Sequence, residues 1–396
     1  MLGDIITNLI CEDEDEYHDF KEEWYVQNKK DEMIKDIFSF VNTAHHHDCY
    51  LIMGVKNDRD HTIVGIENDK NRYNTQKLTD YLGHLPIANH ETPVVRVESL
   101  PIEQHTIDVI IIKDFNQVPV YLTKQYRPKK CTNIIQPGQI FCRLNDTNTA
   151  INQTAKDYQV GKLWKKRFRL DLPPKEQYKY KLSDITNWEY SEDGEKRFLY
   201  EFDPDYCIYL VDDIDKDSRH KIQSYSLSQN RARVNWETLN LMYKDRLIKS
   251  FTVVYLDQYR FLTVYPQESC LESSYTSMLV YRFILADSID FYVEKFLLNQ
   301  KNVFSPSPDS FQKDKLLESI VVFKDIEQKN IIDKELKKDI SVIRKEVKPK
   351  SSQLNSIQKK VKLEFKYEDE VSINEITAAC QEFNLGVYIN DSKFPR

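Results

Sequence analysis

Glycine is scarce in this sequence, with eight glycines in 396 residues. A phosphate-binding loop of the G-x-x-x-x-G-K-[ST] type needs clustered glycines, because its backbone N–H groups must approach the phosphates closely. The sequence contains no such stretch. ATP hydrolysis is therefore disfavoured, although nucleotide binding stays open.

Paired cysteines and long apolar runs are also missing. The seven cysteines include no C-x-x-C pair, which favours reduced thiols. Adjacent histidines rarely converge on one metal ion, so we interpret His45–His47 as a polar turn. No apolar run reaches the roughly 20 residues that a membrane-spanning helix needs, and the first ten residues lack the features of a secretory signal. We therefore expect a cytoplasmic protein with no membrane association.

Charge is abundant and unevenly distributed, although the net charge of -7 does not itself suggest nucleic-acid binding. Residues 1–36 contain twelve acidic and four basic residues, whereas residues 113–169 contain twelve basic and three acidic residues. Aromatic residues are interleaved with these bases, namely Tyr121, Tyr126, Tyr158, Trp164 and Phe168. Such a mixture suits phosphate contact and base stacking. Pairing of the basic stretch with the acidic one inside a single domain is an equally good interpretation.

Three patterns follow one another between Glu12 and Ile66. The first, residues 12–23, places eight carboxylates around Tyr17 and Phe20, which is costly unless solvent, basic residues or a cation offset the charge. We interpret residues 17–21 as a strand, with Asp19 and Lys21 on one face. Apolar residues at three-and-four spacing then predict a helix over residues 31–44, with Asp31 as its cap. A continuous apolar run predicts a buried strand over residues 49–55, and residues 62–66 are predicted to complete a hairpin.

The remaining elements are predicted from period and turn residues. In the first domain we expect helices at 75–83, capped by Thr75, and from Thr147 or Asn148 to about Arg167, with strands at 92–100, 106–113, 119–123 and 139–143. Pro173-Pro174 predicts a linker. Beyond it we expect strands at 197–202, 206–211, 251–256 and 259–264, with a hairpin around 257–258, and a helix at 277–298. From Pro306 we expect two amphipathic helices within 316–347, a basic break at 348–352, a strand at 361–365 and a helix at 375–383.

These elements predict an α+β protein with three regions. Residues 1–172 form a mixed sheet with packed helices, residues 175–305 form a second α+β domain, and residues 306–396 form a mainly helical region.

The first region resembles the Schlafen AlbA-type domain over about residues 10–168. The matching motifs are, in chain order, Glu14 with Asp19-Phe20-Lys21 for the E-x-x-x-x-E-F-K opening, the helix at 34–43, the L-I-x-G-V strand at 51–55, I-x-G-I at 63–66, the P-x-Y strand at 119–122, G-x-x-Y/F-x-R at 138–143 and the polar segment at 148–156.

The resemblance implies a set of site residues. Ribonucleases of the Schlafen branch hold a divalent cation with three acids, which by position would be Glu14, Asp19 and Asp58 here. Asn57 competes with Asp58 for the third position, and Asp19 reaches one methylene less far than the usual glutamate. Magnesium or manganese suits such ligands and can activate water, while Lys21 would neutralise charge on the phosphate. The basic residues expected to hold a nucleic acid are Lys124, Arg127, Lys129, Lys130, Arg143, Lys165, Lys166 and Arg167.

From this resemblance we expect a metal-dependent endoribonuclease that acts on structured RNA such as tRNA, in preference to DNA, and serves antiviral defence. The alternative is a non-catalytic nucleic-acid- or nucleotide-binding module of a regulator or a defence complex. The helical tail and the family also suggest a homodimer.

Overall fold

The protein is described here from a computed structural model, which describes residues 2–88, 91–191, 193–213, 223–229, 235–256, 261–274, 277–300, 311–364 and 371–392. It contains both helices and mixed sheets, which confirms the α+β class. The chain forms two compact units, residues 1–172 and 173–396. The boundary between them coincides with the predicted end of the first region.

The first unit is built around one four-stranded sheet. Its elements are α1 (Leu2–Ile10), β1 (His18–Lys21), a short 3-10 helix (Gln27–Lys29), α2 (Lys30–Val41), β2 (Cys49–Met53), α3 (Thr75–Gly83), β3 (Val95–Ile102), β4 (His105–Ile112), β5 (Arg143–Leu144), β6 (Thr147–Asn148) and α4 (Asp157–Arg167).

The sheet has the order β1-β2-β4-β3, so that β1 is an edge strand. β1 runs parallel to β2, with Asp19 opposite Leu51, and the other two pairs are antiparallel. The apolar stripe of α2 packs with Leu51 and Ile110 in the main core. Phe20 packs in a separate cluster with α1. Since side chains alternate along a strand, Asp19 lies on the opposite face from Phe20.

Three predicted strands of this unit are wrong. Residues 62–66 make only one isolated bridge, between Ile63 and Val55, and residues 119–123 make only a bridge from Leu122 to Ile87. Residues 139–142 form no strand, and Arg143 begins the short strand β5, which pairs with β6 outside the four-stranded sheet. A side chain takes the place of a neighbouring strand here: the Asn42 amide donates to the carbonyls of Val120 and Phe141, and its oxygen accepts from the Val120 N–H.

One predicted helix start and two predicted helix caps are also corrected. α4 begins at Asp157, nine or ten residues later than predicted, because the hydroxyls of Thr149 and Thr154 bond to the backbone of residues 142 and 140 and hold this segment extended. α3 has the predicted bounds, but its cap is Asn74, whose side chain accepts from the Lys77 N–H. Asp31 does not cap α2, because its buried carboxylate accepts from Asn133 instead.

The second unit contains two sheets and several helices. Its elements are α5 (Pro174–Ser183), a 3-10 turn (Ile185–Asn187), β7 (Trp188–Ser191), β8 (Lys196–Tyr200), β9 (Tyr206–Asp212), α6 (Gln223–Ser228), β10 (Asn235–Tyr243), β11 (Arg246–Leu256), β12 (Phe261–Val264), β13 (Gln267–Ser274), β14 (Ser277–Leu285), α7 (Ile289–Leu298), α8 (Phe311–Ser319), β15 (Ile320–Phe323), α9 (Ile326–Lys338), α10 (Ile340–Glu346), α11 (Ser351–Glu364) and α12 (Ile373–Asp391).

The strand orders are β12-β11-β10-β9-β8-β7 and β13-β14-β15. The segment 277–298, predicted as one helix, is strand β14 followed by helix α7, because residues 277–285 pair with β13 and β15. Residues 361–364, predicted as a strand, end helix α11. The hairpin predicted around 257–258 lies outside the described residues, although β11 and β12 pair antiparallel on either side.

The predicted boundary at residue 305 does not coincide with a boundary in the structure. β14 pairs in parallel with β15, and Phe283 and Val321 are partners across that point in the chain. Among the described residues, no helix is both long and apolar enough to span a membrane.

Candidate functional site

A polar cavity of about 880 Å³ lies beside the edge strand β1 in the first unit. Charged side chains dominate its walls. The acidic ones are Glu14, Asp19, Glu22, Glu23, Asp31, Glu32, Asp36 and Asp146, and the basic ones are Lys21, Lys29, Lys35 and Arg143. The cavity wall therefore carries more acidic than basic side chains, and the basic side chains lie among the acidic ones.

Glu14 reaches the cavity from the loop that precedes β1. Its Oε1 accepts a hydrogen bond from the Phe20 N–H at 2.8 Å, which satisfies a backbone donor on the open edge of the strand. Burial, together with the hydrogen bond and negative charge of Asp19, raises the pKa of Glu14 to about 7. Glu14 is therefore partly protonated near neutral pH, beside the carboxylate of Asp19.

Two cations contact this carboxyl pair. Lys21 Nζ donates to Asp19, and it lies 4.0 Å from Asp36 Oδ2. Arg143 Nη2 lies 3.4 Å from Asp19 Oδ1 and 3.9 Å from Glu14 Oε2. The Arg143 side chain is only 1% exposed and stacks over the Phe40 ring at 4.7 Å. Arg143 is therefore a fixed part of the cavity wall.

Asp36 is a cavity residue that sequence reasoning missed. It lies on α2 and is buried; its two carboxylate oxygens accept from the Tyr25 hydroxyl at 2.5 Å and from the Asn148 amide at 2.8 Å. Burial and the charge of Asp36 raise the pKa of Tyr25. In the sequence, Asp36 is an acidic residue between Ile34 and Ile37, and the helix there was predicted from its apolar residues alone.

The third predicted acid, Asp58, does not line the cavity. It is exposed, and its Oδ1 accepts from the N–H groups of Asp60 at 3.2 Å and Thr62 at 3.0 Å. These bonds lower the pKa of Asp58. Asn57 is exposed as well and does not line the cavity.

The predicted three-acid metal site is therefore not assembled in this arrangement. Glu14 and Asp19 converge, but Lys21 and Arg143 already occupy positions next to them. Across the part of the chain that the structure describes, no group of three or more His, Cys, Asp or Glu side chains is placed to hold a metal ion.

The comparisons with known proteins identify the region that contains this cavity. Residues 14–152 match the family model described as Schlafen, AlbA_2. The first unit contains a Schlafen AlbA_2 domain. This confirms the resemblance drawn from the motifs, and it indicates a nucleic-acid-related function.

No curated protein matches the chain. Among solved structures, the crystal structure of the DIP2311 protein from Corynebacterium diphtheriae is similar at 16% sequence identity and a TM-score of 0.22. The match covers 36% of this chain and 25% of that protein.

Four of the predicted phosphate-binding residues of the Schlafen AlbA_2 domain lie in one exposed loop, namely Lys124, Arg127, Lys129 and Lys130. The loop leads directly to Thr132 and Asn133, which line the acidic cavity. A phosphate chain held by the loop would therefore be close to the cavity.

The basic residues of α4 differ from one another in exposure. Lys165 is exposed and Arg167 is half-buried. The structure corrects the prediction for Lys166, which is fully buried: its Nζ donates to the carbonyls of Thr43 and His45 and lies 2.7 Å from Asp114 Oδ1. Lys166 therefore fastens α4 to the segment after α2 and is not presented to a phosphate.

The three adjacent histidines form the polar turn between α2 and β2. The His46 ring lies between Asp171, at 2.8 Å, and Asp114, at 3.5 Å. His45 packs against the Tyr17 ring at 4.5 Å. Each ring therefore has local partners of its own.

Proposed function

We propose that the Schlafen AlbA_2 domain binds RNA and cleaves it as an endoribonuclease, with the acidic cavity as its reaction centre. The observation that carries this proposal is the pairing of Glu14 with Asp19. With a pKa of about 7, Glu14 is partly protonated near neutral pH, and the cations Lys21 and Arg143 lie beside the pair.

Such a pair suits the chemistry of RNA cleavage. The 2′-hydroxyl attacks the adjacent phosphorus, and the bond from phosphorus to the 5′-oxygen breaks. One carboxylate accepts the proton of the 2′-hydroxyl, and a protonated carboxyl group donates a proton to the leaving 5′-oxygen. Lys21, which is partly exposed, neutralises charge that develops on the phosphate. DNA has no 2′-hydroxyl, so this chemistry favours RNA.

The surroundings of the cavity support the approach of a phosphate chain. Electrostatic attraction to Lys124, Arg127, Lys129 and Lys130 would draw RNA to the rim, because these side chains are exposed and precede the cavity wall directly. Structured RNA such as tRNA is the substrate that we propose. Antiviral defence belongs to the same proposal and rests on the domain resemblance alone. A cytoplasmic location and a homodimeric state are also proposed, as expected from the sequence.

The role of Mg²⁺ or Mn²⁺ is the part of the proposal that an assay must decide. Asp58 lies outside the cavity, and the proposed cleavage uses Glu14, Asp19 and Lys21 without a metal ion. A substitution of Asp58 distinguishes a metal-dependent reaction centre that includes Asp58 from a reaction centre formed by Glu14 and Asp19 without it. Loss of cleavage in folded Asp58→Asn would place it at the reaction centre, as the family motif implies.

The direct test is cleavage of tRNA and single-stranded DNA by the full chain, with Mn²⁺ or with EDTA. We expect tRNA products from the wild type, and a reduction in rate of at least about 100-fold in Glu14→Gln and Asp19→Asn. Glu12→Gln is the matched control, because Glu12 is an exposed acid that does not line the cavity. Circular dichroism melts check that each variant is folded.

Two outcomes would overturn the nuclease proposal. One is cleavage at the wild-type rate by folded Glu14→Gln and Asp19→Asn. The other is the absence of products from the wild type with and without Mn²⁺. If RNA binding persisted in the second case, the domain would be a non-catalytic binding module. The pairing of Asp19 with Lys21 and Arg143 favours this alternative.

A further inference from the structure

Helix α4 and its C-terminal cap residue, Phe168, present two aromatic rings to solvent. Trp164 and Phe168 lie one turn apart, and they are 37% and 62% exposed. Their rings stack, with centroids 5.7 Å apart and planes inclined by 17°. The other three tryptophans of the chain are buried, namely Trp24, Trp188 and Trp236. Exposed aromatic rings of this size commonly mark a binding surface.

The charge around these rings is positive. The Arg167 guanidinium lies over the Trp164 ring at 5.5 Å, and Lys162 and Lys165 are exposed on the same helix. The acidic residue of α4, Asp157, is in the first turn, at the opposite end from the stacked rings. The surface therefore combines flat rings with cations, which is the chemistry that base and phosphate require.

A glycine leaves room on this face. Gly161 lies one turn before Trp164 and one turn after Tyr158, which is 49% exposed. A Cβ at Gly161 would meet no atom within 4 Å, so packing does not require glycine there. Glycine inside a helix costs roughly 0.5–1 kcal/mol relative to alanine. The result is an open strip between the rings of Tyr158 and Trp164.

This face is connected to the acidic cavity through shared residues. Tyr158 and Lys162 line a small pocket together with Arg143 and Leu144. Arg143 also lines the acidic cavity and contacts Asp19. A ligand bound along α4 would therefore lie near the proposed reaction centre.

We propose that the exposed face of α4, formed by Tyr158, Gly161, Trp164, Lys165 and Phe168, is a stacking platform for unpaired RNA bases. This inference rests on the proposed RNA binding and narrows its substrate class. Only RNA with loops or single-stranded segments offers free base faces, because the bases of a continuous duplex are already stacked on one another.

Tryptophan fluorescence tests the platform directly, because Trp164 is the exposed tryptophan. The probes are a short 2′-O-methyl oligouridylate, an abasic ribose-phosphate oligomer of equal length, and a 2′-O-methyl RNA duplex. The 2′-O-methyl groups remove the nucleophile, so cleavage does not disturb the titration. We expect the oligouridylate to quench the fluorescence and to bind about tenfold more tightly than the abasic oligomer. The duplex should cause no comparable quenching.

Substitutions separate stacking from charge. Trp164→Ala should weaken oligouridylate binding about tenfold and leave abasic binding unchanged. Trp164→Phe should keep most of the affinity, because it keeps an aromatic ring, while its fluorescence change is lost. Leu170→Ala is the matched control, because it truncates an exposed apolar side chain of the adjoining segment outside the ring stack. Affinities that lack an intrinsic fluorescence change are read by anisotropy of labelled probes.

Each other outcome overturns the platform in a recognisable way. Equal affinity for the abasic and base-carrying oligomers would remove base stacking and leave phosphate binding intact. A change of oligomeric mass in Trp164→Ala, with no effect on RNA affinity, would make this face a contact between copies of the chain. Binding of the duplex alone would remove the platform and leave the proposed RNA binding intact, whereas binding of none of the three probes would overturn both.

Discussion

Near neutral pH, Glu14 is about half protonated in the folded chain, because burial and Asp19 raise its pKa from 4.5 to about 7. The charged groups that face it are Asp19, Lys21 and Arg143. A carboxyl group with a raised pKa binds its proton more tightly in the folded state. Its stabilising contribution is therefore complete below pH 4.5 and is lost as the pH rises through about 7.

We therefore expect the unfolding free energy of the first unit to decrease by about 1–2 kcal/mol more in the wild type than in Glu14→Gln between about pH 5 and pH 8. This magnitude allows for solvent screening of a half-buried group. Urea denaturation at several pH values measures the difference. Parallel pH profiles for the two proteins would show that Glu14 has an ordinary pKa.

Sequence reasoning at this scale identified residues better than it identified contacts. Glu14, Asp19, Lys21 and Arg143 were singled out by motif, and the structure brings them into one cavity. Their chemical role stays a prediction. Spacing along the chain could not show that the N–H groups of residues 60 and 62 engage Asp58, since a turn decides that contact.

In helix α12, Gly386 packs more closely against a neighbouring backbone than any other glycine of the described residues. A Cβ at Gly386 would lie 1.9 Å from the carbonyl oxygen of Ser319, which ends α8. Gly386→Ala must therefore displace α12 from α8 and should destabilise the second unit by about 1–3 kcal/mol. Gly161→Ala is the matched control in a helix, and it should stabilise the first unit by about 0.5–1 kcal/mol, because its site is open.

Thermal unfolding followed by circular dichroism measures both changes, and each is assigned to the transition of its own unit. Equal shifts of the same sign in the two variants would contradict the packing that separates them. The comparison is strict because the chemical change is identical and only the surroundings of the glycine differ.

The spacing of apolar residues correctly predicted uninterrupted helices and strands. It predicted poorly the segments in which a strand is followed directly by a helix. The strand at 106–113 and the helix at 75–83 match β4 and α3 closely, because their patterns are uninterrupted. In the segment 277–298, the apolar residues of β14 and α7 together mimic one helical stripe, and only pairing with β13 and β15 makes the first part a strand. Local pattern contains no information about such distant partners.

At the scale of the whole chain, the two units have separate hydrophobic cores. Among the described residues, the core clusters of the first unit draw only on residues before 172, and those of the second only on residues after 173. We therefore expect the fragments 1–172 and 173–396 each to fold alone, with cooperative thermal unfolding and a single peak in size-exclusion chromatography. A fragment that shows no cooperative transition would contradict this independence.

The fragment 173–305 should behave differently, although it corresponds to the domain predicted from composition. It lacks β15, the parallel partner of β14, and the helices that complete the core around Leu279, Tyr281 and Phe283. Exposing these side chains beside an unpaired strand edge favours association between chains. We expect this fragment to elute as aggregates under conditions in which 173–396 is well behaved. A monomeric, cooperatively folded 173–305 would show that the region after 305 is a separate domain, and that the pairing of β14 with β15 contributes little to the stability of the second unit.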